Sequence, residues 1–197
     1  MQDTNQDQVT DGRHLRASRT KKKISEALQT LLRTGNLSPT AEELAAAAGA
    51  SLRTIYRHYE DIEALYRELA AQIDADILPV LMKPYASTDW REQLLEALER
   101  RAAIYERILP LKAAGDLRRY RSPYLMDIFK RSIIMERTQI VAILPEEMTE
   151  RDALLHALEP VASFSMWKRM RYDQEFSSGE ATATVRNIVT ALIKSYP

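Results

Sequence analysis

Residues 49–65 read GASLRTIYRHYEDIEAL, and how this stretch is read decides the fold around it. Arg53, Thr54, Tyr56, Arg57, His58 and Tyr59 crowd into seven positions with Ile55 as the one aliphatic interruption. Helical spacing sorts the crowd into two faces. Ile55 and Tyr59 lie one turn apart and face inward with Ala50. Leu52, Arg53, Tyr56 and Arg57 follow the i, i+1, i+4, i+5 pattern of a single outward stripe, for which a core has no use.

Working outward, Ser51 stands as an N-cap in front of this short helix, and Gly49 supplies a turn conformation that a residue with a Cβ resists. Upstream, Thr40 and Glu43 form a capping box that opens a helix over 41–48, where Ala45 and Ala48 allow close approach. Before that, Ile24, Ala27, Leu28, Leu31 and Leu32 mark an amphipathic helix, with Ser18 or Thr20 as its cap and Thr34-Gly35-Asn36 as its stop. Downstream, Asp61 caps a fourth helix that carries Leu65, Leu69, Ile73 and Ile77 up to Pro79.

Two short helices joined by a glycine turn, the second polar on its outer face, outline a helix-turn-helix. In that motif the second helix enters the DNA major groove. Arg53 and Arg57 suit guanine edges or phosphate, and Leu52 suits a thymine methyl. Thr54, Tyr56 and His58 offer donors to phosphate oxygens, as do Thr40 and the helix end behind it. An exposed surface helix or a protein-binding helix is the alternative on spacing alone.

Charge points the same way. From Arg13 to Tyr59 there are nine cations (Arg13, Arg16, Arg19, Lys21, Lys22, Lys23, Arg33, Arg53, Arg57) against three anions (Glu26, Glu42, Glu43), while the whole chain is formally neutral. A basic module for a polyanion, joined to an acidic body, is the expected organisation.

The chain of 197 residues has no cysteine, five glycines and eight prolines. Disulfides, thiolate metal sites and cysteine nucleophiles are thereby excluded, and an all-α fold is expected. The amino-terminal stretch has no apolar core of a signal peptide, and no run is long enough to span a membrane, so a cytoplasmic protein is expected. No metal-ligand spacing, Gly-rich phosphate loop or nucleophile beside a base occurs. Neither enzyme activity nor a cofactor is expected.

Beyond Pro84 the basic excess disappears. A helix capped by Asp89 is expected to run to about Ile108, with Gly115 breaking the next segment. A further helix starts at Ser122-Pro123 and ends at Leu144-Pro145; another opens at Thr149 or Glu150 and continues through Trp167; a last one is capped by Ser178. The organisation predicted is a disordered polar and basic arm over 1–17, a helix-turn-helix domain over 18–65 and a helical body over 66–197.

The stretch PTAEELAAAAGASLRTIYRHYEDIEALYREL resembles the DNA-binding domain of the TetR-like transcriptional regulators. Thr54, Ile55, Tyr56, His58, Tyr59, Glu63 and Leu65 stand where that family has Thr, Leu, Tyr, His, Phe, Glu and Leu. The resemblance covers about residues 18–70 and is looser beyond, although SFSMWKRMRYDQEFSSGEATATVRNIVTAL is also similar to the end of the family's second domain. Ile62 departs from the pattern, standing where the family has a phosphate-contacting lysine. Three readings of it stay open: Arg57 or the segment Arg19 to Lys23 takes over the contact, affinity is lower, or Ile62 joins the core.

The resemblance implies a three-helix DNA-binding domain joined by a long helix to a ligand-binding and dimerisation domain. It also implies a homodimeric repressor on a palindromic operator in double-stranded DNA, released when an effector in the body moves the fourth helix. The apolar stripe Ala181, Val185, Ile188, Val189 and Leu192, with Phe164, is assigned to the dimer interface, packing within one subunit being the alternative. Tyr105, Tyr120, Tyr124, Met126, Phe129 and Trp167 are the candidate contacts for an apolar or aromatic effector, although such residues at helical spacing are more often core. Control by a protein partner in place of a small ligand is the alternative, and a helical enzyme or carrier is the remaining rival.

Overall fold

The computed structural model describes residues 4–196, with side chains from Leu15 onward. Among the described residues there is no strand, and the expected all-α class is observed. The described residues form nine α-helices: α1 (Thr4–Arg33), α2 (Ala41–Ala48), α3 (Leu52–His58), α4 (Ile62–Leu81), α5 (Trp90–Arg118), α6 (Pro123–Ile143), α7 (Arg151–Val161), α8 (Phe164–Lys168) and α9 (Ser178–Ser195). The chain divides into two compact units, 1–74 and 75–197, with the division inside α4.

The amino-terminal unit is organised on α1, whose Ile24, Leu28 and Leu32 are almost wholly buried. The helix starts well before Ser18 or Thr20. Thr20 does not cap it but donates its hydroxyl to the Arg16 carbonyl one turn back (2.9 Å), a mid-helix pattern. The arm expected over 1–17 falls partly on residues 1–3, outside the described residues, and from Thr4 its backbone is helical. No proline interrupts this stretch, and Gly12 within it costs only about 1 kcal/mol. Leu44 and Ala45 of α2, Ile55 of α3 and Tyr59 close the core against α1, joined by Leu65, Tyr66 and Leu69 of α4. These last residues belong with the first unit, which is why the division falls beyond residue 65.

In the carboxyl-terminal unit, Asp89 caps α5 by accepting from the Arg91 and Glu92 amides at 2.8 and 3.2 Å. The end expected near Ile108 is absent, because α5 continues through Pro110 and Gly115 to Arg118. Leu109, Ala113 and Ala114 are buried there, and their packing outweighs the local preference for a break. The single helix expected through Trp167 is two: α7 ends at Val161, and the Ser163 hydroxyl caps α8 by accepting from the Met166 amide. A π-turn (Arg169–Asp173) follows. Ser177, not Ser178, caps α9, in a capping box with Glu180.

Candidate nucleic-acid interface

The turn between α2 and α3 is fixed by three local devices. Thr40 accepts from the Glu43 amide (3.2 Å) while Glu43 accepts from the Thr40 amide (2.8 Å), closing the capping box. That bond, and one from Asn36, hold the Glu43 carboxyl below its usual range. Gly49 adopts φ 60°, and the Ala50 amide reaches back to the Ala45 carbonyl (2.9 Å), the reverse-turn pattern of a left-handed helix cap. Ser51 then accepts from the Thr54 amide (3.2 Å) and starts α3.

The outward face of α3 is open as the spacing predicts. Leu52, Arg53, Tyr56 and Arg57 are exposed, Tyr56 by 54%, while Ile55 and Tyr59 are buried. Among the described residues neither Arg53 nor Arg57 has an ion-pair partner. Thr40 is exposed and keeps its hydroxyl proton free of its cap bond, whereas half-buried Thr54 shares a hydroxyl contact with Ser51 (3.0 Å).

His58 differs from its expected role. Its Nε2 is buried without a hydrogen-bond partner, so that atom cannot donate to a phosphate. Burial, and then the positive charges of Arg57 and Lys21, keep the imidazole pKa below its ordinary value. The reason is the tertiary packing around the carboxyl end of α3, which spacing along one helix does not reveal.

Sequence reasoning missed Glu68. Its Oε1 accepts from the Tyr59 hydroxyl (3.2 Å) and its Oε2 from Lys21 (3.0 Å), while the Lys21 ammonium lies 5.2 Å from the Tyr59 ring centroid. Burial and the Glu68 charge push the Tyr59 hydroxyl well above its ordinary pKa. This link ties α1, the end of α3 and α4 together, and it engages Lys21, one of the cations in the basic segment considered for the phosphate contact. Ile62 is half-buried at the first position of α4, behind Asp61, which accepts from the Ala64 amide (2.6 Å).

In the carboxyl-terminal unit the candidate effector residues are scattered. Tyr105 is buried and donates to the Ala162 carbonyl (3.1 Å), and the Trp167 indole donates to Glu106 (2.8 Å). Both line a concavity of about 20 Å³, room for a water rather than an effector. Tyr124, Met126 and Phe129 are half-buried and do not line it, and Tyr120 is 76% exposed.

Of the residues assigned to the dimer interface, Phe164, Val185 and Val189 are buried by their own chain, at 2%, 8% and 0% exposure. Phe164 stacks edge-on against Tyr105 at 5.5 Å, and the Val side chains lie on the α9 face turned inward with Ala181 and Ile193. The apolar stripe satisfies a core before any partner arrives. Ile188 and Leu192, beside it, stay half-exposed.

No protein-family model matches the chain, and no curated protein matches it in sequence. Solved structures do. A transcriptional regulator from Rhodococcus sp. RHA1 superposes with a TM-score of 0.67 at 15% identity, over 89% of this chain and 97% of that one. A protein assigned to the TetR family from Mesorhizobium loti MAFF303099 gives 0.59 at 20% identity, over 92% and 98%. A TetR-like transcriptional regulator from Rhodococcus sp. RHA1 gives 0.60 at 15% identity, over 87% and 93%. The chain has the fold of these regulators along nearly its whole length.

Proposed function

We propose that the protein is a transcriptional regulator that binds double-stranded DNA through α3, acting as a homodimeric repressor on a palindromic operator. The observation that carries this reading is the outer face of α3, where Leu52, Arg53, Tyr56 and Arg57 are exposed and the two arginines have no acidic partner among the described residues. Two exposed guanidiniums on a capped helix are matched to base edges and phosphates. The fold shared with the three regulators supports the same assignment. Dimerisation is proposed through the half-exposed side of α9 around Ile188 and Leu192, since Val185 and Val189 serve the subunit's own core.

The test is fluorescence anisotropy with DNA from upstream of the chain's own coding sequence, comparing the unaltered protein with Arg53→Ala and Tyr56→Ala. Sequence-selective binding that weakens in both variants supports the reading; equal binding to unrelated DNA removes the operator claim. Light scattering that gives a monomer at micromolar concentration removes the dimer.

Release by a small-molecule effector is part of the proposal. Control by a protein partner is a second reading, favoured by the small concavity beside Trp167, which a ligand could enter only by moving side chains.

A further inference from the structure

Before its first core residue, Ile24, α1 runs through solvent. Residues 15–19 are all exposed while their backbone stays helical. Over 15–23 the helix carries Arg16, Arg19, Lys22 and Lys23 as exposed cations, with Arg16, Arg19 and Lys23 at i, i+3 and i+7 on one face. Among the described residues neither Arg19 nor Lys23 has an acidic partner. Lys22 has one in Glu26, at 3.8 Å between two exposed side chains.

The fold is not helped by this arrangement. Like charges three and four positions apart on a helix destabilise it, and over 15–19 no burial offsets them. Lys21, two positions from both Arg19 and Lys23, lies on the opposite face and goes to Glu68 (3.0 Å), with the Tyr59 ring centroid 5.2 Å away. That contact fixes the basic stretch beside the carboxyl end of α3. Just past α3 the charge has the wrong sign for phosphate: Glu60, Asp61 and Glu63 surround the start of α4, and its first turn holds no cation. A hold on the DNA backbone near this end of α3 has to come from α1.

We infer that Arg19 and Lys23, with Arg16 in line, form a second DNA-contacting site, a phosphate-binding stripe along α1 that holds one strand of the duplex met by α3. The inference rests on the reading of α3 as a DNA-contacting helix and adds a source for the backbone hold. From Arg16 to Lys23 the stripe spans about 10 Å of helix axis. Over that length one DNA strand presents about three phosphates. Cations set in a line match a linear polyanion, and long flexible stems let each head find its phosphate oxygen. Such contacts position a protein on the duplex and carry no sequence information.

The test is a salt titration of binding by fluorescence anisotropy, with the full chain and two duplexes, one from upstream of its own coding sequence and one unrelated. Arg19→Gln, Lys23→Gln and the double variant are compared with the unaltered chain. Both positions are exposed and glutamine is a good helix former, so the variants are expected to fold. Each single variant should lower the log–log salt slope by about 0.9 per subunit, which at 0.15 M salt corresponds to a loss of about fivefold in affinity. The loss should be the same on both duplexes. Lys130→Gln removes one exposed cation from α6, in the other unit, and should leave the slope unchanged. An unchanged slope in the double variant overturns the stripe, as does an equal fall in Lys130→Gln or a loss confined to one duplex. Arg53→Ala separates the two readings. Selective binding that Arg53→Ala weakens, with the slope of the double variant unchanged, removes the stripe alone, whereas no binding of either duplex by the unaltered chain removes both.

Discussion

Arg53 and Arg101 carry the same side chain in opposite surroundings. Arg53 stands exposed on α3 with no acidic partner among the described residues. Arg101 is 4% exposed on α5, where its guanidinium donates to the Ala162 carbonyl (3.1 Å), the Glu136 carbonyl and the Gln139 amide oxygen (3.2 and 3.1 Å). The first spends nothing on the fold and keeps its donors for a ligand. The second spends its donors on the fold and has little left to offer. The difference teaches that a cation's role is read from what its surroundings have already satisfied, and stability and DNA affinity should respond to the two in opposite order.

Arg101→Ala is therefore expected to have the largest effect. It removes a charged donor from the Ala162 and Glu136 carbonyls, the first of which keeps the Tyr105 hydroxyl, and leaves a hole where a buried side chain stood, and a loss of about 3 kcal/mol in urea unfolding is expected. A loss below about 1 kcal/mol would mean that water takes over these acceptors and that the contrast is weaker than drawn. Arg53→Ala is the mirror case. Its unfolding midpoint should hardly move, within about 0.5 kcal/mol, while affinity for the preferred DNA falls by about 1–3 kcal/mol. If all sequences weaken equally, Arg53 holds phosphate and does not read bases.

The exposed face was legible in the sequence because its signals are local. A capping box at Thr40 and Glu43, a glycine at the turn, a serine cap and one helical period sort the α3 side chains without knowledge of any other helix. The interior of the second unit was not legible in this way. Ala181, Val185 and Val189 form an apolar stripe, but a stripe does not say which surface covers it, and here the covering is the same chain. Tyr105 and Tyr120 are the same residue type, yet one is buried and the other lies in solvent. The bonds from Arg101 to Ala162 and from Trp167 to Glu106 each join positions 61 apart, and only the folded arrangement brings them together. The burial of the His58 Nε2 is likewise invisible in the spacing of α3.

Gly115 sharpens the buried side of the comparison by a smaller amount. It was read as a breaker, yet it lies within α5, and a Cβ built there meets no neighbour within 4 Å. Gly115→Ala should stabilise the chain by about 0.5–1 kcal/mol, chiefly by restricting the unfolded state. Destabilisation would show that α5 needs a local irregularity there. On the exposed side, Ile62→Lys adds a cation at the first position of α4. If that position faces the DNA backbone, the log–log salt dependence of binding should steepen by roughly 0.9 per subunit. An unchanged slope would mean that the position does not face phosphate.

His58 gives the smallest expected effect and tests the boundary between the two kinds of site. It lies on α3, the helix whose outer face is exposed, yet its Nε2 is buried and unpaired like an interior group. Its folded pKa lies below the ordinary 6.5, through burial first and then the charges of Arg57 and Lys21. As pH falls through about 6.5, the unfolded chain takes up a proton that the folded chain refuses. This contribution to stability is complete above that pH, is lost as pH drops below it, and levels off under the folded pKa. Urea midpoints should accordingly fall between pH 7.5 and 5.5, and His58→Gln should flatten that decline. The ring is only half-buried, so water limits the size of the effect. A variant that loses stability over the same interval to the same extent would move the titrating group elsewhere and return His58 to the exposed face with its ring available to phosphate.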